Sequence, residues 1–261
     1  MINRRGTSSL KWDHYGDRDV IPLWVADMDF RSPPAVLKAL RKAVDHGIFG
    51  YSLPSPGLQQ VILEDLRTHF DWEVDPDWLV YLPGVVCGLH LAARAVGEPG
   101  DDQMILTPIY PPFFQATVEA GRNLLQVPLQ QNTETSRWEI DFPLLEQSLT
   151  PRTRLLLLCN PHNPVGRVFS KEELERLARI CLEHNIWICS DEIHNGLVLD
   201  MDKKHRPIAT LGSEVARRTI TLMAPSKTYN IPGLGLSFAL IPDPILRRQF
   251  QRMMHGIVPY P

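Results

Sequence analysis

Short apolar runs alternate with segments of helical periodicity along most of this 261-residue chain, and that alternation limits the fold more than any single residue does. Runs of strand character are Leu79 to Tyr81, Met104 to Thr107, Leu124 to Val127, Leu155 to Cys159, Ile186 to Ser190, Thr219 to Met223 and residues 236–241. Between them, helices are predicted over 34–46, 58–70, 85–96, 112–120, 142–149, 170–184 and 244–255. The first of these has prolines at its start, Val36, Leu37, Leu40 and Val44 on one face, and Gly47 just past its end. Ser170-Lys171-Glu172-Glu173 is a capping box, and Gly256 ends the last helix. Strands alternating with helices make an α/β fold with a mainly parallel sheet covered on both faces, here of seven strands. Residues 1–33, with Pro22 and Pro33, read as an irregular arm.

Composition excludes several classes. Hydrophobic residues make up 44% of the chain and the net charge is −3, which suits a large core and gives nucleic acid no basic surface. No apolar run approaches membrane-spanning length. Arg4-Arg5 lacks the apolar stretch that would make a signal peptide. Cys87, Cys159, Cys181 and Cys189 form no C-x-x-C pair, which points to reduced core cysteines and a cytoplasmic location. Cys181 and His184 have metal-like spacing on one helix, but no second pair completes a site, so no metal is expected.

Three apolar runs end in polar groups of unusual kind. Leu155 to Leu158 runs into Cys159-Asn160-Pro161-His162-Asn163-Pro164, and Ile186 to Cys189 into Ser190-Asp191-Glu192-Ile193-His194. Thr219 to Met223 runs into Ala224-Pro225-Ser226-Lys227-Thr228-Tyr229-Asn230. An amide, a carboxylate and an amine at the carboxyl ends of neighbouring strands mark a binding site in an open α/β sheet. A lysine there is costly to desolvate unless chemistry uses it, and desolvation lowers its pKa. Adjacent strand residues face opposite ways, so Asp191 and Glu192 cannot both face the site. Gly84-Val85-Val86-Cys87-Gly88 follows a strand and opens a helix, whose free N–H groups suit a phosphate.

The order and wording of the Asn163, Asp191 and Lys227 clusters resemble the fold-type I pyridoxal-phosphate enzymes of the aspartate-aminotransferase superfamily. The resemblance implies that Lys227 carries pyridoxal 5'-phosphate as a Schiff base, that Asp191 pairs with the pyridine nitrogen and that Asn163 bonds the phenolic oxygen. It places Ser226 and the backbone of Val85 and Val86 at the phosphate, with Pro83 where many members carry a hydroxyl residue. It stacks Tyr110 on the ring and takes Tyr51, in Gly50-Tyr51-Ser52-Leu53-Pro54, across a dimer interface to the neighbour's site. His194 is either a proton relay beside the cofactor or a structural histidine.

The arm Leu23-Trp24-Val25-Ala26-Asp27-Met28-Asp29-Phe30, with Phe49-Gly50-Tyr51 and Ser190 to His194, looks like the PatB/MalY-type cystathionine β-lyase branch. That branch implies cleavage of cysteine S-conjugates to a thiol, pyruvate and ammonia by a homodimer, with Lys227, Asp191 and Tyr51 catalytic and Ala26, Tyr51 and Asn163 at the substrate. An aminotransferase, or a non-catalytic cofactor-binding regulator, are the alternatives. Residues 1–45 are then arm and part of a small domain, and 46–261 the cofactor-binding large domain. Family members continue into a segment that completes the small domain and brings an arginine for the substrate carboxylate. Its absence leads to the expectation of a truncated chain with poor turnover and an apolar face, through Ile245, Phe250 and Met254, left open on the last helix.

Overall fold

A computed structural model describes residues 2–16 and 18–259. In chain order the strands are β1 (Leu79–Leu82), β2 (Asp102–Thr107), β3 (Asn123–Pro128), β4 (Gln130–Gln131), β5 (Trp138–Glu139), β6 (Thr153–Cys159), β7 (Trp187–Asp191), β8 (Thr219–Met223) and β9 (Ser237–Leu240). The helices are α1 (Leu10–Asp13), α2 (Pro34–His46), α3 (Pro56–Phe70), α4 (Val85–Ala95), α5 (Pro112–Glu119), α6 (Phe142–Ser148), α7 (Lys171–Glu183), α8 (Ser213–Arg217) and α9 (Pro244–Met254).

Seven strands form one sheet in the order β1-β9-β8-β7-β6-β2-β3, while β4 and β5 pair as a separate small hairpin. The run from β8 to β3 is parallel, and β9 is antiparallel to both its neighbours. The central strands are buried on both faces, so their apolar residues divide by the pleat. On β6, Leu155, Leu157 and Cys159 join the core under α4, α5 and α9. Leu156 and Leu158 join the core under α6 and α7.

The helix-end signals act as expected. Pro34 opens α2 and Gly47 closes it in the left-handed conformation, with φ 72°. On α7 the Ser170 and Glu173 side chains each accept the other's backbone N–H, a complete capping box. Gly88 has a packing role. A Cβ there would stand 2.8 Å from Leu222 Cδ2, so only glycine lets α4 lie this close to β8.

Three features differ from expectation. The arm contains the short helix α1, and the β4–β5 hairpin and α8 lie in stretches with no predicted element. The open face expected on α9 is corrected, because Phe250 is fully buried together with Leu246. These two are four residues apart and share the stripe, continued by Met254, that packs under α4, whereas Ile245 falls off it and stays exposed. Conversely, α2 buries no residue, and Leu40 and Val44 are exposed. No helix among the described residues is long and apolar enough to cross a membrane.

Candidate active site

The sheet order brings the three polar strand exits side by side, because β6, β7 and β8 are successive neighbours. Cys159 pairs with Asp191, and Asp191 with Leu222. The ladder runs past the strand ends: the Asn160 N–H donates to the Asp191 carbonyl and the Glu192 N–H to the Leu222 carbonyl, both at 2.9 Å. Asn163, Asp191 and Lys227 therefore leave the sheet at one edge.

Asp191 and Glu192 are both buried and face opposite ways. Glu192 lies in a closed network, accepting from Ser190 Oγ at 2.9 Å and standing 2.8 Å from His205 Nε2. The Asp191 carboxylate accepts one bond, from the Ile193 N–H at 3.0 Å. Burial pushes its carboxyl up to about 7, with Glu192 adding to the shift and the Ile193 N–H and Lys227 opposing it. Opposite it, Lys227 Nζ donates to the Ala26 carbonyl at 3.1 Å. Burial pulls the lysine down from its ordinary value, while Asp27 and Asp191 hold it up. His194 is half-buried, and burial and then the charge of Lys227 push its pKa down.

Lys227 and Ser226 sit in a compact turn, closed by the Tyr229 N–H to the Pro225 carbonyl at 3.0 Å and the Ile231 N–H to the Ser226 carbonyl at 2.9 Å. At the start of α4, Gly84 is extended and no side chain caps the helix, so the first turn's N–H groups have no intrahelical acceptor. Val85 is buried and Val86 part-exposed, so only their backbone is polar there. Asn163 is half-buried on a turn that His162 anchors from inside. The two His162 nitrogens face the Pro108 carbonyl at 2.8 Å and the Cys159 carbonyl at 3.1 Å. The ring thus lies between the Asn163 turn and the loop that carries Tyr110, and burial lowers its pKa while the two carbonyls oppose that shift. Tyr110 is part-exposed, and Tyr51 projects fully into solvent, so the fold of one chain does not bring Tyr51 to Lys227.

Two sets of residues went unnoticed in the sequence. His162 was masked by the asparagines and prolines around it. Asn230 binds the arm, accepting the Met28 N–H at 2.8 Å and donating to the Met28 and Phe30 carbonyls at 3.1 Å. Its only available signal was its place three residues after Lys227. Among the described residues, no group of three His, Cys, Asp or Glu side chains is placed to hold a metal ion, and burial pushes the Cys181 thiol up to about 12.

Residues 18–260 match the family described as aminotransferase class I and II. The chain is 42% identical over 252 residues to cystathionine beta-lyase PatB of Bacillus subtilis (strain 168), covering 95% of this chain and 64% of that protein. The crystal structure of OvoB matches with a TM-score of 0.96 at 47% identity, over 99% of this chain and 68% of that one. Cystalysin from Treponema denticola, whose crystal structure contains pyridoxal 5'-phosphate, matches with a TM-score of 0.93 at 34% identity, over 99% of this chain and 67% of that one. The chain thus spans less than the full length of each of these relatives.

Proposed function

The chain belongs to the aminotransferase class I and II family, and from that premise we propose that it binds pyridoxal 5'-phosphate and acts as a carbon–sulfur β-lyase on cystathionine or another cysteine thioether. The observation that carries the proposal is Asp191. A buried carboxylate with one backbone donor, a pKa raised to about 7 and no cation bonded to it among the described residues has room for one. A protonated ring nitrogen fits it, and a phosphate fits the uncapped start of α4. When bound, the cofactor supplies an electron sink for the charge released at a substrate's α-carbon.

The chain's own residues divide the remaining work. Lys227 would hold the cofactor covalently, and its free amine would be placed to take the proton from an amino acid's α-carbon. Its lowered pKa raises the share of free amine near neutral pH. Asp191 would keep the ring nitrogen charged. Asn163 would bond the ring's phenolic oxygen, Tyr110 would cover the ring, and Ser226 with the backbone of Val85 and Val86 would hold the phosphate. Burial and the nearby Lys227 both disfavour the charged form of His194. Ala26, Tyr51 and Asn163 meet the substrate.

The same reading makes the protein a homodimer, with the exposed Tyr51 reaching the site of a second copy. It divides the chain into arm and small-domain residues 1–45 and large-domain residues 46–261. A reducing, cytoplasmic setting agrees with four free cysteines, three of them buried. The identity to a cystathionine β-lyase favours β-elimination over amino transfer.

The test is incubation of the cofactor-loaded protein with L-cystathionine and no keto acid. Pyruvate, ammonia and a free thiol are expected in equal amounts, and Lys227→Ala should abolish both turnover and the borohydride-reducible adduct. A strict requirement for 2-oxoglutarate would replace the lyase by an aminotransferase.

A further inference from the structure

Outside the assigned site, a polar network of five side chains ties the N-terminal arm together. Arg4 bonds Asp27 at 2.6 Å and Asp29 at 2.9 Å. The buried Lys11 bonds the Asp29 carboxylate and the Asp27 carbonyl, each at 2.9 Å, and Trp12 Nε1 donates to Asp29 at 2.7 Å. Burial opposes the charge on Asp29, but its three donors hold the carboxyl at about 2. The arm is thus a small folded unit with its own internal ties.

Its fastening is narrow. Among the described residues, every hydrogen bond joining residues 2–33 to residues 46–259 ends on Lys227 or Asn230. The Asn230 amide pairs with both backbone groups of Met28 as a neighbouring strand's peptide would, and it also reaches the Phe30 carbonyl. Its own carbonyl accepts from Ser32 Oγ at 3.3 Å. Asn230 adopts a left-handed φ of 53°, which asparagine tolerates better than most residues. Its N–H returns to the Lys227 carbonyl at 3.4 Å, so the latch and the lysine share one turn.

We propose that Asn230 is a positioning residue, which seats the arm on the lysine turn so that the Ala26 carbonyl aims and holds the Lys227 amine. The charged and titratable groups around that amine are Asp27 from the arm, Asp191 at the end of β7 and His194 just after it. A seated arm therefore brings two groups that favour the ammonium form, the Ala26 carbonyl and the Asp27 carboxylate. The catalytic weight of this seat rests on the lyase reading above, but its existence is tested without cofactor.

The test uses the cofactor-free full chain and two readouts. Asn230→Gly removes the amide and suits the left-handed backbone. Hydrogen exchange at the Met28 amide should rise on the order of ten-fold or more, with β6 to β8 unchanged. Competitive acetylation against pH, followed peptide by peptide, should place the Lys227 midpoint at lower pH than in the parent, because both ammonium-favouring groups leave. Asn230→Asp keeps an acceptor for Met28 but loses both donors. It is read by exchange alone, since its new charge would itself act on Lys227, and the same rise is expected. Unchanged Met28 exchange in both variants would overturn the latch. Faster exchange with an unmoved Lys227 midpoint would reduce Asn230 to a tie with no hold on the amine, and would also overturn the proposal. Cofactor binding enters neither readout, so the latch and the lyase can fail separately.

Discussion

Replacing Asp191 by Asn in the cofactor-free chain should stabilise the fold, and by more at high pH than at low. Burial raises the Asp191 carboxyl from 3.8 to about 7. A raised acid binds its proton more tightly folded than unfolded, so stability is full below the unfolded value and falls as pH rises to the folded one. Roughly three pKa units at about 1.4 kcal/mol each put the cost of the ionised, cation-free carboxylate near 4 kcal/mol above about pH 7. Asparagine carries no charge and keeps an oxygen for the Ile193 N–H, which now bonds Asp191 at 3.0 Å. Its new amide donors need partners of their own, so about 4 kcal/mol is a ceiling and about 2 kcal/mol a reasonable yield. Urea unfolding of parent and variant at about pH 5 and about pH 8.5 measures the effect through the midpoints. The variant should gain mainly at the higher pH. With pyridoxal phosphate bound the sign reverses, because the ring nitrogen supplies the missing cation, and the variant should hold cofactor less tightly than the parent. A cofactor-free Asp191→Asn chain no more stable than the parent at either pH would refute the argument that this carboxylate is stored at a cost.

Three further outcomes follow from the packing. Gly88→Ala sets a Cβ 2.8 Å from Leu222 Cδ2 and 3.1 Å from Leu82 Cδ1, so a loss of about 1–3 kcal/mol is expected in thermal unfolding, with weaker cofactor binding as the start of α4 shifts. Phe250→Ala empties a fully buried site between α9 and α4 and should cost about 3–5 kcal/mol by urea unfolding, whereas Ile245→Ala on the exposed side should change little. Glu192→Ala leaves the Ser190 hydroxyl, His205 and the Ile208 N–H without their shared buried partner, and a loss of about 1–3 kcal/mol is expected by the same assay.

What could be read in the sequence was what short separations decide. The bounds of α2 followed from Pro34 and Gly47, and the start of α7 from Ser170 and Glu173, because a helix end is settled by groups within one turn of it. Strand runs such as Leu155 to Leu158 are legible for the same reason, and the pleat alone assigned Asp191 and Glu192 to opposite faces. The residue types at three strand exits then marked a binding site, since an amine, a carboxylate and an amide are rarely left at buried strand ends for packing alone, and only the resemblance to pyridoxal-phosphate enzymes named its chemistry.

Tertiary structure decided whatever depends on which strands become neighbours. The order β6-β7-β8 set three separate motifs side by side, and no local pattern states that order. The antiparallel insertion of β9 between β1 and β8, and the burial of Phe250 beneath α4, depend on surfaces far apart in sequence. The arm is the clearest case. Asn230 grips Met28 across 202 positions, a separation at which neither residue carries any local sign of the other. Local rules fix elements because their energies come from backbone groups a few residues apart. The seat of the Lys227 amine comes from two elements that meet only after the sheet has formed.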